Sequence, residues 1–171
     1  LLKLVVRSTS GEIPLVATSS SMSRKPRVLV VEDNEVNQRV ADRILSRLNC
    51  QVTIAGSGPK AITLLGAGGF DLVFMDCHMP DMDGYETTER IRAGEAGVEA
   101  QRIPIVAMTA DALERDRDRC IAHGMDDHVG KPVSPAMLAG VLKKWIPARS
   151  SDISTLTGPI PQIPNDPEDL T

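Results

Sequence analysis

Aromatic side chains are nearly missing from this 171-residue chain: one Trp, one Tyr and two Phe, 2% in all. So few rings exclude the stacking platforms that hold single-stranded nucleic acid. Excess positive charge is missing too. The formal net charge is -4, which excludes a general attraction to nucleic acid or to an anionic membrane surface. No apolar run approaches the ~20 residues of a membrane span. The opening LLKLVV is too short for a signal-peptide core and lacks a matching cleavage region. Cysteine is scarce: Cys50, Cys77 and Cys120 are single, widely spaced and odd in number. That pattern speaks against a disulfide or zinc framework and predicts reduced thiols in a cytoplasmic protein.

What is present alternates. Hydrophobic residues make up 42% and charged residues 25%, enough of each for an ordinary core under a hydrated surface. Val28–Val31 is a short buried strand. Val36, Val40, Ala41, Ile44, Leu45 and Leu48 then fall on one face of a helix. Val52–Ile54 alternates as an edge strand would. Pro59 opens a second helix, which Gly66–Gly69 ends. Leu72–Met75 is an uninterrupted apolar run, read as a strand buried on both faces. A helix over Tyr85–Ala93, a polar loop over Gly94–Ala100 and a strand over Ile103–Met108 follow. A helix over Leu113–His123 carries the charged run ERDRDR, read as a solvated face. A short strand over Asp127–Val129 comes next. Ser134 and Pro135 start the last helix, whose apolar stripe runs from Met137 to Ile146 and includes Trp145, expected in the core. Residues 1–25 read as a linker, 26–146 as a single domain and 147–171, with five prolines, as a disordered tail.

Five strands alternating with five helices argue for an α/β fold: a doubly wound, flavodoxin-like parallel sheet of order 2-1-3-4-5. Its switch point lies between strands one and three. Glu32 and Asp33 end strand one, Asp76 ends strand three, Thr109 ends strand four and Lys131 follows strand five. All five therefore share one edge of the sheet. Three carboxylates gathered there repel one another and need compensation. A hard divalent cation with oxygen ligands supplies it, and few protein ligands plus water suits magnesium. Lys131 adds a point cation and Thr109 a hydroxyl. Phosphoryl transfer asks chiefly for positioning and charge neutralisation, and a carboxylate can itself become the acyl phosphate.

The segments VLVVEDNEVNQ (Val28–Gln38), LVFMDCHMPDMDG (Leu72–Gly84), IPIVAMTA (Ile103–Ala110) and DDHVGKPV (Asp126–Val133) resemble those of response-regulator receiver domains, with their CheY-like fold. The Glu-Asp-Asn run with Asn37 is similar to receivers of hybrid sensor histidine kinases in particular. The resemblance implies that Asp76 takes a phosphoryl group from phosphohistidine. It implies magnesium held by Asp33, Asp76 and the backbone carbonyl of His78, with Glu32 acting through water. Thr109 is then the switch hydroxyl, Lys131 pairs with the phosphoryl group, and the Lys131–Pro132 bond is cis. The implied partner is a histidine kinase or a histidine phosphotransfer domain, and small phosphodonors could act in vitro. Docking is expected near the first helix and the Lys131–Pro135 loop, with Val36, Val40 and Val133 as apolar contacts. One position departs from the family pattern. Strand five usually carries Tyr or Phe as the switch aromatic, and here it is His128, a histidine rotamer switch that protonation would weaken. The parent would be a hybrid kinase, placing this piece in the cytoplasm or on the cytosolic side of a membrane-bound sensor.

Other readings stand beside this one. A stand-alone single-domain regulator would share every feature. A phosphatase of the haloacid-dehalogenase type also forms an aspartyl phosphate, but wants a second acid where His78 stands. A flavodoxin-like cofactor protein would need a Ser/Thr/Gly-rich loop after strand one, and Glu32–Glu35 would repel a phosphate instead. An inactive pseudo-receiver would not need the acids. Cys77 and Met79 read as packing, and the His78 side chain as exposed.

Overall fold

The computed structural model describes residues 24–110 and 114–146. The expectations for the two tails lie outside them, apart from Arg24 and Lys25. Strands β1 (Arg27–Val31), β2 (Gln51–Ala55), β3 (Leu72–Asp76), β4 (Ile105–Thr109) and β5 (Asp127–Gly130) form one sheet of order β2-β1-β3-β4-β5. Every pairing is parallel. Helices α1 (Glu35–Arg47), α2 (Gly58–Gly66), α3 (Gly84–Ala93), α4 (Glu114–Ala122) and α5 (Pro135–Trp145) alternate with the strands.

Both faces of the sheet are covered, which is why the central strands carry no polar alternation. On one face Val28, Val30, Leu72, Phe74, Val106 and Met108 pack with Ala41 and Leu45 of α1 and Leu138 and Val141 of α5. On the other, Leu29, Val31, Val73, Met75, Ile105 and Ala107 pack with residues of α2, α3 and α4. Local chemistry sets the helix starts. Asn34 Oδ1 accepts from the amides of Val36 and Asn37, Asp83 Oδ1 from that of Glu86, and Ser134 Oγ from that of Met137. Gly94, at φ +98°, closes α3 in the left-handed conformation that glycine adopts without steric cost.

Four expectations shift. β4 begins at Ile105, not Ile103, because the Ile103 amide closes a 3-10 turn onto the Ala100 carbonyl and Pro104 has no N–H. The expected polar loop buries Ala96 and Ala100 under the sheet. Val52, Thr53 and Ile54 are all half-buried rather than alternating. Trp145 is also half-buried, since its indole N–H reaches the rim to donate to Asp127 Oδ2 at 3.0 Å. The predicted start of α4 at Leu113 lies outside the described residues. Arg117, Asp118 and Arg119 in the ERDRDR run are exposed.

Two side chains tie the far margins of the sheet. Arg92 of α3 donates to the carbonyls of Gly124, Gln101 and Ile103 at 2.8–3.0 Å and pairs with Asp126 at 2.7 Å. Asp127 of β5 accepts from Lys144 (2.7 Å), from Trp145 and from the amide of His128 (2.9 Å), joining β5 to the end of α5. Burial by itself would raise the Asp127 carboxyl, but the bonds from Lys144, Trp145 and His128 outweigh it and hold the group below its ordinary 3.8. A depressed carboxylate stabilises the fold above its unfolded value and loses that contribution as pH falls through the folded one. Asp127→Asn is therefore expected to cost about 1 kcal/mol at pH 6. In urea melts the gap to wild type should begin to close below about pH 3.8. A gap that stays constant down to pH 2.5 would contradict this.

Candidate functional site

In parallel strands of matched register, carboxyl ends lie level. Val31 pairs with Met75, and Asp76 with Met108, so the residue after β1 and the last residue of β3 come out side by side. Glu32, Asp33 and Asp76 each offer a carboxylate oxygen, and these atoms lie within 4.8 Å of one another. Glu32 and Asp76 are buried, while Asp33 is exposed and leaves the cluster open on one side. Three oxygen donors with an open side fit a hard divalent cation that retains water.

The neighbours hold this set in place. Lys131 Nζ lies 2.7 Å from Glu32 Oε2 and 2.8 Å from Asp76 Oδ2. Burial would pull the Lys131 ammonium down, yet hydrogen bonds and charge from Asp76 and Glu32 prevail and hold it above its ordinary value. The Lys131 amide donates to the Thr109 carbonyl at 2.7 Å, which anchors the lysine to the end of β4, and the following Lys131–Pro132 bond is cis. Glu32 Oε1 accepts from Asn37 Nδ2 at 3.0 Å and from the amide of Asn34 at 3.3 Å. Its backbone carbonyl accepts from Gln38 Nε2 at 2.7 Å. Asp76 Oδ1 accepts from the amide of His78 at 3.1 Å, and the His78 side chain is exposed.

Thr109 is fully buried at the end of β4. His128 pairs in register with Ala107, on the sheet face that Thr109 shares with Ala107. Its Nδ1 is buried without a hydrogen-bond partner among the described residues. Cys77 is buried beside Asp76, and burial, with Cys120 adjoining, pushes its thiol up to about 12, so it is no nucleophile at neutral pH. Val36 and Val40 are exposed on α1, and Val133 is half-buried against the α1–α5 side of the core.

The sequence profile of the response regulator receiver domain matches residues 28–143. The chain belongs to the response regulator receiver family. This receiver is 42% identical over 123 residues to the sensor protein GacS of Pseudomonas syringae, covering 72% of the chain and 14% of GacS. It therefore spans about a seventh of that relative's length. Among solved structures it is similar to the magnesium-bound receiver domain of a sensor histidine kinase from Pseudomonas aeruginosa PAO1. Identity there is 39% and the TM-score 0.66, over 72% of this chain and 99% of that one. It is also similar to the receiver domain of Ssk1, solved with the histidine phosphotransfer protein Ypd1 of Saccharomyces cerevisiae. That match has 29% identity and a TM-score of 0.64, covering 71% and 89% of the two chains. It is a receiver of the two-component type, homologous to those of hybrid histidine kinases, and the phosphatase alternative finds no support.

Reading the receiver's sequence brought Glu32, Asp33, Asp76 and Lys131 to one edge but missed what steadies them. Asn37 carried a signal through the resemblance alone, and Gln38 none. A Cβ at Gly84 would run into the Asp76 carbonyl oxygen. That obstacle is backbone and cannot swing aside. Gly84→Ala is expected to lose about 1–3 kcal/mol in urea melts. Gly66→Ala, with nothing within 4 Å of its Cβ, should gain about 0.5–1 kcal/mol by helix propensity. Equal effects would show that the close approach is unimportant.

Proposed function

We propose that Asp76 is the phosphoacceptor of a phosphorelay. The observation that carries this is a buried carboxylate at a strand end, contacted at 2.8 Å by Lys131 and grouped with Glu32 and Asp33. An Asp76 oxygen attacks the phosphorus of a donor phosphohistidine. The new O–P bond forms as the P–N bond breaks, and the electron pair leaves on the imidazole. Lys131 turns its ammonium to a phosphoryl oxygen, and the Thr109 hydroxyl donates to another. Asp33, Asp76 and the His78 carbonyl would hold magnesium, with Glu32 bound through water. When bound, magnesium offsets the negative charge of the phosphoryl oxygens.

Phosphorylation then shifts a two-state equilibrium on the face of β4 and β5, with His128 in place of the usual aromatic. The donor or acceptor is a histidine kinase or histidine phosphotransfer domain docked over Val36, Val40 and Val133. The functional unit is residues 26–146, flanked by a linker and a tail. Its parent is a hybrid sensor histidine kinase working at the cytoplasm. No described helix is long and apolar enough to cross a membrane.

Incubation with acetyl phosphate and magnesium should give a single phosphoryl adduct by intact mass. Asp76→Asn should give none while keeping the wild-type circular dichroism spectrum. An adduct that persists in this variant places the acceptor elsewhere. For the switch, the His128 ring resonances should move when a phosphoryl mimic is added in an NMR titration. An unchanged ring environment in both states removes His128 from the mechanism.

A further inference from the structure

A second feature of α1 lies beyond the acidic edge. Arg43, Ile44, Arg47 and Leu48, with Pro135 from the start of α5, line a shallow recess of about 170 Å³. Both arginines are exposed, and among the described residues neither forms an ion pair. The other charges of this stretch are engaged. Arg39 pairs with Glu35 at 3.4 Å, and Asp42 accepts from Ser46 Oγ at 3.3 Å. Val36, Val40, Arg43 and Arg47 advance by four, three and four residues, so they form one stripe along the helix. Val36 and Val40, 68% and 42% exposed, stand at the end nearest the acids. The arginines stand about 10 Å further along, at 1.5 Å per residue.

We propose that Arg43 and Arg47 select the phosphotransfer partner by reading a pair of carboxylates on its docking helix. An apolar side chain beside those carboxylates fills the recess floored by Ile44, Leu48 and Pro135. The inference rests on the phosphoacceptor reading and deepens it. Two unpaired guanidinium groups at the lip of an apolar hollow match an acidic, partly apolar helix face. An anionic membrane fits less well, since Asp33 stands exposed just before the cap of the same helix. The Asp33 carboxylate repels a partner's carboxylates at one end of the stripe while the arginines attract them at the other. The stripe therefore fixes which way the partner helix runs, and rim charges of this kind act on association rate and specificity.

Phosphorylated Ypd1 serves as the probe. Pairs of its exposed residues one helical turn apart are replaced by Glu in one set and by Lys in another. Transfer is timed to the wild-type chain and to the double variant Arg43→Glu, Arg47→Glu, whose fold is checked by circular dichroism. One Glu pair should speed transfer to wild type by about tenfold, an advantage that shrinks as salt is added. The matching Lys pair should restore transfer to the double variant. If no pair distinguishes the two receivers, the inference is overturned. Acetyl phosphate labelling of the wild-type chain tests the underlying reading separately. Labelling without any charge preference removes the inference alone, and no labelling removes both.

Discussion

The Lys131 ammonium, held between Glu32 and Asp76, is the contact on which the site depends. Glu32 and Asp76 are almost fully buried, and carboxylates withdrawn from water must be paired or neutralised. Lys131 lies 99 residues from Glu32 in sequence. The pairing forms only when β1, β3 and β5 have taken their places, so charge compensation and chain winding are the same event. In the proposed phosphoryl transfer the lysine is itself part of the chemistry. A cation that neutralises two acids at rest is already in position to meet a phosphoryl oxygen.

Around that contact the fold supplies stiffness rather than further charge. Asn37 and Gln38, one turn into α1, grip the side chain and carbonyl of Glu32. Gly84 lets the loop after β3 close against the Asp76 backbone. Arg92 and Asp127 secure segments away from the acids through carbonyls and amides that the strands leave over. The arrangement keeps the acids level while leaving Asp33 open to solvent. An incoming donor can therefore reach the cluster without the core opening.

The β4–β5 face has a different character. Thr109 is fully buried, and His128 stands on the same face with a buried ring nitrogen that lacks a hydrogen bond among the described residues. An unsatisfied buried polar atom is costly, and a small rearrangement that gave it a partner would be favoured. That cost is what the proposed switch at this face would relieve.

Strand alternation and the acids at strand ends were legible in the residue order, because short apolar runs and helical stripes follow from local periodicity. From these came the winding 2-1-3-4-5 and the shared edge of Glu32, Asp33, Asp76, Thr109 and Lys131. Local pattern could not show that Pro104 and the Ala100–Arg102 turn delay β4, or that Trp145 stays at the rim to reach Asp127. Those outcomes depend on which distant groups compete for one hydrogen bond. The roles of Gln38, Gly84 and Arg92 were equally hidden, since each touches atoms brought near only by packing. Sequence alone determined which groups meet, because periodicity and parallel register are repeated local rules. Tertiary structure decided how they are held, because that rests on single long-range contacts with no local signature.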